Sequence, residues 1–415
     1  MLSRRAYPSR YFIFPAYLLI DLLTKRQVPK LLHFSILERL PKDTMQKFQL
    51  RKLRKLCRLH LNLEIKSITE FQNLPLMTKQ DLPLEPRFPS KKYRQHETSG
   101  STGQPRVIWV PSNSWERKDA IFMRSWFKMG WRGQKVLRLI SGEPKYRFYD
   151  SLRNVTPLNY KTIDESYVDW FLQNRPFLIH GPGGSIRELC EKIIAAGYPE
   201  ALKNLKIHWC SESSERHKER LLGFVQDFHE QYGLAELPTV GATDGKGALK
   251  IVEEQGFIEI VNELGEPVKP NEEGFIVVTD FNNTQTPIIR YKSGDRGKWA
   301  IKSDVLGRSY RILYDIIGRA VDFYDGPEVK RPIGWWIVAP ISHELGEVIE
   351  KWRCEVRPKE ELLILYVKFR GKEDFEQLDF YREWVKTNVG LNTEFRVDDY
   401  QFDAYWKNKL VRVIY

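Results

Sequence analysis

Between residues 105 and 235, short apolar runs alternate with segments of helical periodicity, and this alternation restricts the fold more than any other feature of the chain. "VIWV", Val107 to Val110, is apolar and β-branched, as a strand requires. Residues 114–130 then carry a helical pattern, with Ser114 placed as its N-cap and Gly130 as its stop. "KVLRLI" predicts a strand, and "RPFLIHGPGGSIRELCEKIIAAGYP" reads as strand, Gly/Pro turn, helix and Gly stop. "LKIHWC" returns to a strand at Leu205 to Cys210, and "SERHKERLLGFVQDFHEQYG" predicts a helix ending near Gly233. Alternation of this kind implies an α/β layer architecture.

The texture then changes. "GFIEIVNELGEPVKPNEEGFIVVTDF" shows two apolar strands around Gly- and Asn-containing turns, an antiparallel pattern. Gly318-Arg319 closes that region, and residues 320–415 have a pattern of their own. In them "ELLILYVKFRG" predicts a strand, "FEQLDFYREWVKTNVG" a helix and "TEFRVDDY" a strand, together a small α+β domain. The 415 residues divide on this reading into a basic helical segment (1–60), a large domain (61–318) and a small C-terminal one (319–415). Residues 74–92, rich in proline, read as an extended connector.

Charge is concentrated at one end. Residues 1–60 hold 14 Lys/Arg against Asp21, Glu38 and Asp43, which is +11 of the chain's formal +12. In "KFQLRKLRKLCRLH" the residues Leu50, Leu53, Leu56 and Cys57 share one helical face, with the basic residues on the other. The 13-residue run from Tyr11 to Leu23 is interrupted by Pro15 and Asp21 and is too short to span a bilayer. No small-residue cleavage site follows it, which argues against a signal peptide. Two readings remain: a helix packed on the main domain, or a segment lying on an anionic membrane surface. Nucleic acid is the weaker polyanion candidate, because few aromatic residues interleave with the basic ones after Tyr17. Four scattered cysteines, with no CxxC pair, argue against zinc or a disulfide framework and fit a reducing compartment.

Three separated stretches carry candidate chemistry. "TSGSTGQPR", Thr98 to Arg106, could present backbone N–H groups and hydroxyls to phosphate, or form a plain turn before the strand at Val107. No Gly-Lys-Ser/Thr follows, so it is not a Walker A loop. "QYGLAE", Gln231 to Glu236, combines an aromatic ring, a turn glycine and a carboxylate at a predicted helix end; an ordinary helix cap is the alternative. "TPIIRYKSGDRG", Thr286 to Gly297, sets Asp295 in a Gly-Asp turn, suited either to a ribose diol or to a surface hairpin.

In this order the three stretches resemble the adenylate-forming superfamily of acyl-CoA synthetases, luciferases and nonribosomal adenylation domains. The similarity is strongest to its phenylacetate-CoA ligase branch, including relatives in capsular polysaccharide biosynthesis. The seventeen residues "TDFNNTQTPIIRYKSGD", Thr279 to Asp295, carry most of it. The resemblance implies an α/β fold: a large adenylate-forming domain of α/β layers plus a β subdomain, with a small mobile α+β C-terminal domain. It implies that Thr98, Ser99, Gly100, Ser101, Thr102, Gly103 and Arg106 grip the ATP phosphates. Tyr232, beside Gly233, would stack on adenine, and Glu236 would help hold Mg²⁺. Asp295 would take the ribose, Arg319 would make a second ribose and phosphate contact, and Asp322 would be the hinge. "NKLVRVI" resembles the segment bearing the catalytic lysine, which makes Lys409 the candidate; Asn408 stands where the family has glycine.

The activity this resemblance implies is ATP-dependent activation of a carboxylic acid as acyl-AMP, with pyrophosphate released. Magnesium and a lysine ammonium suit the charge that develops on the α-phosphate. Coenzyme A is the expected acceptor. An amine or hydroxyl acceptor, in surface polysaccharide or secondary-metabolite biosynthesis, is the alternative, and a non-catalytic nucleotide-binding protein that docks to membrane is a second. The expected location is cytoplasmic, with peripheral contact at the inner membrane face through residues 1–60. The acyl pocket is expected between residues 114–130, "HGPGGS" and "CSESSE", with His180 and Glu212 as its polar candidates. Trp115, Trp126, Phe127 and Trp131 fit either an aromatic acid or plain core packing.

Overall fold

The computed structural model describes residues 10–24, 27–89, 91–97, 107–112, 114–140, 148–159, 163–210, 218–243, 248–300, 311–317, 337, 341, 345, 348–398 and 411–414. These fall into two compact units, one of residues up to 316 and one from 317 onward.

The first unit is built on an eleven-stranded mixed sheet. A preceding hairpin pairs β1 (Tyr93–Glu97) with β2 (Val107–Pro111), antiparallel, so that Glu97 and Val107 face each other. The sheet's parallel half runs through β3 (Val136–Ile140), β4 (Val155–Asn159), β5 (Leu178–Pro182), β6 (Lys206–Cys210) and β7 (Asp227–Tyr232), in the order β4-β3-β5-β6-β7. Its core strands are buried almost throughout, as strands covered on both faces must be. The antiparallel half adds β8 (Gly241–Thr243), β9 (Leu249–Ile251), β10 (Gly256–Val261), β11 (Glu273–Asp280), β12 (Tyr291–Trp299) and β13 (Ile312–Ile317). Here β8 pairs with β7 and β9, β9 with β13, and β10, β11 and β12 form a meander. The α/β alternation and the later antiparallel pattern are thus both present, joined in one sheet.

Helices α1 (Arg10–Leu23), α2 (Val28–Leu37), α3 (Lys42–Leu56), α4 (Ile68–Gln72), α5 (Ser114–Lys128), α6 (Phe148–Leu152), α7 (Glu165–Asn174), α8 (Gly183–Ala195) and α9 (Lys218–Leu222) accompany it. The basic N-terminal segment is part of this unit's core. Tyr17, Val28, Leu31, Phe34, Phe48 and Leu53 pack with Phe122, Met123 and Trp126 of α5. A buried polar chain fixes the join: Tyr17 Oη donates to Gln27 Oε1 (3.0 Å), Gln27 Nε2 to Asp119 Oδ2 (3.0 Å), and Arg153 Nη1 sits 3.4 Å from the same oxygen. Buried polar groups are tolerated only when paired in this way. Trp126 and Trp131 are fully buried and packed edge to face at 5.5 Å, which favours the core-packing alternative for these two aromatics.

One predicted helix does not continue to Gly233. Between Lys218 and Tyr232 only Lys218–Leu222 is helical, and Asp227–Tyr232 forms β7. Gly223 ends the helix, and from Asp227 the apolar pattern shifts from helical to extended. The segment pairs in register with β6, with Phe228 opposite Ile207, and burial in the sheet outweighs a weak local helical preference.

The second unit has a four-stranded sheet of β14 (Ile349–Arg357), β15 (Leu362–Phe369), β16 (Asn392–Val397) and β17 (Val411–Val413), ordered β16-β15-β14-β17. Helix α10 (Asp379–Asn388) buries Tyr381 and Val385 against it, and Tyr381 Oη donates to Ile337 O at 3.0 Å. The strand, helix and strand expected after residue 360 are all present; β14 has no counterpart among the expected elements.

Candidate functional site

Two of the three singled-out stretches meet in space. Strand β7 ends at Tyr232, and the chain turns immediately at Gly233, where a Cβ would lie 2.2 Å from Pro238 O. No other residue fits so close an approach. The loop is tied by Leu234 N donating to Leu237 O and Val240 N donating to Tyr232 O, each at 2.9 Å. Its fold carries Glu236 inward, where it is 1 % exposed and accepts a 2.7 Å hydrogen bond on Oε1 from Tyr291 Oη. The stretch Gln231 to Glu236 therefore sits at the carboxyl end of a parallel strand, not at a helix end.

Asp295 is also placed differently from the expected Gly-Asp turn, because it lies inside β12. Between the pairs Phe275↔Arg296 and Val277↔Lys292 the register shifts, so Ser293, Gly294 and Asp295 of β12 stand against Ile276 alone, two residues more than regular pairing allows. Gly294 takes φ +85°, and Asp295 N donates to Ser293 Oγ at 3.0 Å. A bulge of this kind re-aims a side chain that ordinary pleating would point elsewhere. The result is that Tyr232 Oη donates to Asp295 Oδ2 at 2.5 Å. The two bonds, Tyr232 to Asp295 and Tyr291 to Glu236, lash β7 and its loop to β12.

The rest of Thr279 to Asp295 is held from below. Trp109 N on β2 donates to Thr286 Oγ1 (2.9 Å), while Asn283 Oδ1 accepts from Gln285 N and Thr286 N. The proline-rich connector docks here as well: Phe88 N donates to Gln285 Oε1 at 3.0 Å and Gln285 Nε2 returns to Phe88 O at 3.1 Å. Arg290, with φ 48°, is buried and pairs with Glu259 (3.1 Å) and with Gly265 O (2.8 Å). Its work is structural, and the motif alone did not reveal it. Asp280, in the same block, is buried, and desolvation pushes its carboxyl up to about 6.

His180, a pocket candidate from the sequence, lies in a buried row of imidazoles. In-register pairing sets His180 beside His208 and His208 beside His229 on β5, β6 and β7. Trp126 Nε1, which can only donate, gives its proton to His208 Nδ1 at 3.1 Å, so that nitrogen is unprotonated. His180 Nδ1 lies 2.8 Å from the same nitrogen. Burial, with the neighbouring ring and Arg138, holds His180 well below the usual imidazole range, and burial pushes His208 down to about 3. Spacing along any one strand could not have shown this row, which depends on register between strands.

Thr98, Ser99, Gly100, Ser101, Thr102, Gly103, Arg106, Glu212, Arg319, Asp322 and Lys409 lie outside the described residues. The described arms of the hairpin end on either side of residues 98–106, and β17 begins two positions after Lys409.

The donor set fits the groups the resemblance implies. Asp295 is a buried carboxylate held by a neutral phenol, a suitable acceptor for ribose hydroxyls. Glu236 offers the oxygen ligand that Mg²⁺ takes, and such a site is normally completed by phosphate and water. No cluster of three or more His, Cys, Asp or Glu side chains placed to hold a metal occurs among the described residues.

No protein-family model matches the chain, and no curated protein matches it in sequence. Solved structures do. A 2-hydroxyisobutyryl-CoA ligase in its postadenylation state, in complex with 2-HIB-AMP, superposes with a TM-score of 0.70 at 17% identity over 91% of each chain. The fold is that of acyl-adenylate-forming ligases. The o-succinylbenzoate CoA synthetase of Bacillus subtilis, with its acyl-adenylate intermediate, gives 0.55 at 16% identity, covering 77% of this chain and 67% of that one. An acyl acid amido synthetase, GH3.15, gives 0.60 at 13% identity over 91% and 86%. At such identities these ligase-fold likenesses concern architecture, and the chemistry must be argued from the side chains.

Proposed function

We propose that the chain is an ATP-dependent ligase that converts a carboxylic acid to its acyl-AMP and passes the acyl group to coenzyme A, in the manner of a phenylacetate-CoA ligase. One observation carries the reading. Blocks 55 to 63 positions apart converge as the pairs Tyr232–Asp295 and Tyr291–Glu236, at the carboxyl end of a parallel strand, in a fold shared with acyl-adenylate ligases. Ligand sites in open α/β sheets lie at such strand ends.

In the first half-reaction a carboxylate oxygen attacks the ATP α-phosphorus, the bond to the β-phosphate oxygen breaks, and pyrophosphate leaves. Asp295 accepts from the ribose hydroxyls, held in place by Tyr232 Oη, while the Tyr232 ring lies against adenine. Thr98 to Gly103 and Arg106 bind the phosphates, with Arg319 as a further ribose and phosphate contact. Glu236 is the Mg²⁺ carboxylate; the ion, when bound, offsets phosphate charge. Lys409 neutralises charge developing at the α-phosphate. In the second half-reaction, after the chain rotates about Asp322, a thiolate attacks the acyl carbonyl and AMP departs. An amine acceptor is the second reading, supported by the amido synthetase among the similar folds.

The test is ATP–pyrophosphate exchange over a panel of carboxylates, followed by product analysis with and without coenzyme A. Exchange that depends on one carboxylate class, and falls at least about a hundredfold in Lys409→Ala, is the expected result. ATP binding with no exchange for any carboxylate would overturn the ligase reading in favour of a non-catalytic nucleotide-binding protein. A product that forms only with an added amine or hydroxyl compound would replace coenzyme A as acceptor.

A further inference from the structure

We propose that the outer faces of helices α1, α2 and α3 form a docking surface for a bilayer containing anionic lipid. This surface is independent of the ligase reading. On α1, Leu19, Leu22 and Leu23 are 58, 46 and 72 % exposed, at spacings of three and four that place them on one helical face. They are not turned outward by a loose helix end. On the other side Tyr17 and Asp21 are fully buried, and Asp21 Oδ2 accepts from Gln27 N (2.7 Å) and Val28 N (2.5 Å). On α2, Leu32 and Ile36 stand one turn apart, 53 and 64 % exposed, while Val28, Leu31, Phe34 and Leu37 face the core. Arg124 Nη1 donating to Phe34 O at 3.2 Å fixes that orientation.

Helix α3 supplies the charge. Met45, Phe48, Gln49, Leu53 and Leu56 are buried, leaving Lys47, Arg51 and Lys55 exposed at intervals of four along its outer side. Of the segment's three acidic residues, Asp21 is buried in its turn and Glu38 is engaged by Arg124 (3.5 Å) and by Lys128, so Asp43 alone is an exposed acid. Exposed leucines on α1 and α2, with exposed lysine and arginine on α3 of the same segment, suit an interface with an anionic charge layer above an apolar one. A nucleic acid would answer the charge but leave the leucines in water. A second copy of this segment would meet its own +11. No helix among the described residues is long and apolar enough to cross a membrane, so the contact is with the surface.

The experiment uses the full chain in co-sedimentation with vesicles of phosphatidylcholine, alone or mixed with phosphatidylglycerol, at low and high salt. Binding to the mixed vesicles only, weakening as salt rises, is expected. The triple variant Lys47→Glu, Arg51→Glu, Lys55→Glu and the pair Leu19→Ser, Leu23→Ser should each weaken it about tenfold or more. Leu32→Gln with Ile36→Gln tests α2 separately, and unchanged thermal melting shows that each variant is folded. Failure to bind mixed vesicles overturns the proposal, as does equal binding to neutral ones. It is likewise overturned if folded leucine variants bind like the parent while heparin or RNA retention follows the charge, or if the leucines prove to control dimer formation.

Discussion

Tyr232 and Asp295, 63 positions apart, are joined phenol to carboxylate at 2.5 Å, one at the end of a parallel strand and the other in a bulge of an antiparallel one. Tyr232→Phe keeps the ring and deletes this bond, freeing the carboxylate to rotate. With a hydrogen bond to a charged group contributing about 1.5–3 kcal/mol, ATP affinity should fall about tenfold or more in Tyr232→Phe and further in Asp295→Ala. Calorimetric titration with ATP checks this, and a fully retained affinity in both variants would remove Asp295 from the site.

Arg290 and Glu259 form a buried pair at 3.1 Å that also anchors the backbone at Gly265. Removing one partner strands a charge, which costs about 3–5 kcal/mol. Urea midpoints should drop sharply in Glu259→Gln and in Arg290→Met, with the double variant losing less than the sum of the two.

The imidazole row makes the fold acid-sensitive. His180 and His208 are held neutral in the folded state, His208 down to about 3, against an ordinary value of 6.5. A base whose folded value is depressed contributes stability present above 6.5 and lost as the pH falls toward the folded value, at about 1.4 kcal/mol per pH unit for each group. His208→Asn should flatten the decline in stability between pH 6.5 and 4.5. Nitrogen-detected NMR of the parent should find the proton of His208 on Nε2, since its Nδ1 accepts from Trp126 Nε1.

Asp280 acts with the opposite sign. Its folded value, raised by burial from 3.8 to about 6, gives stability that is present below 3.8 and lost as pH rises through 6. At pH 7.5 Asp280→Asn should be more stable than the parent by up to about 3 kcal/mol, with the advantage gone near pH 4. Its backbone partner, Asn282 N at 2.7 Å, can still donate to the amide oxygen. Paired melting curves at the two pH values measure the difference.

The strand–helix alternation of the large unit, the β10–β11 hairpin and the strand, helix and strand after residue 360 were legible because each buries a periodic apolar face. Periodicity is a local property of the chain. Tyr232, Glu236 and Asp295 were legible as residue types in order, through resemblance to a family's motifs. Their partnership was not: neither phenol–carboxylate pair is local, and the bulge that aims Asp295 exists only against β11. The misread helix before Tyr232 has the same origin, since a short amphipathic segment becomes helix or strand according to what it packs on.

By itself, then, the sequence determined which segments are apolar on one side and that positive charge gathers in residues 1–60. Tertiary structure alone decided what the apolar face of this basic segment packs against, the α5 side chains Phe122, Met123 and Trp126. It also decided that three histidines stand in register on adjacent strands and that Tyr291, a residue with no evident role in the motif, holds Glu236. The reason is physical: patterning depends on neighbours a few residues apart, whereas desolvation, tautomer and side-chain aim depend on groups that only the folded chain brings within hydrogen-bonding distance.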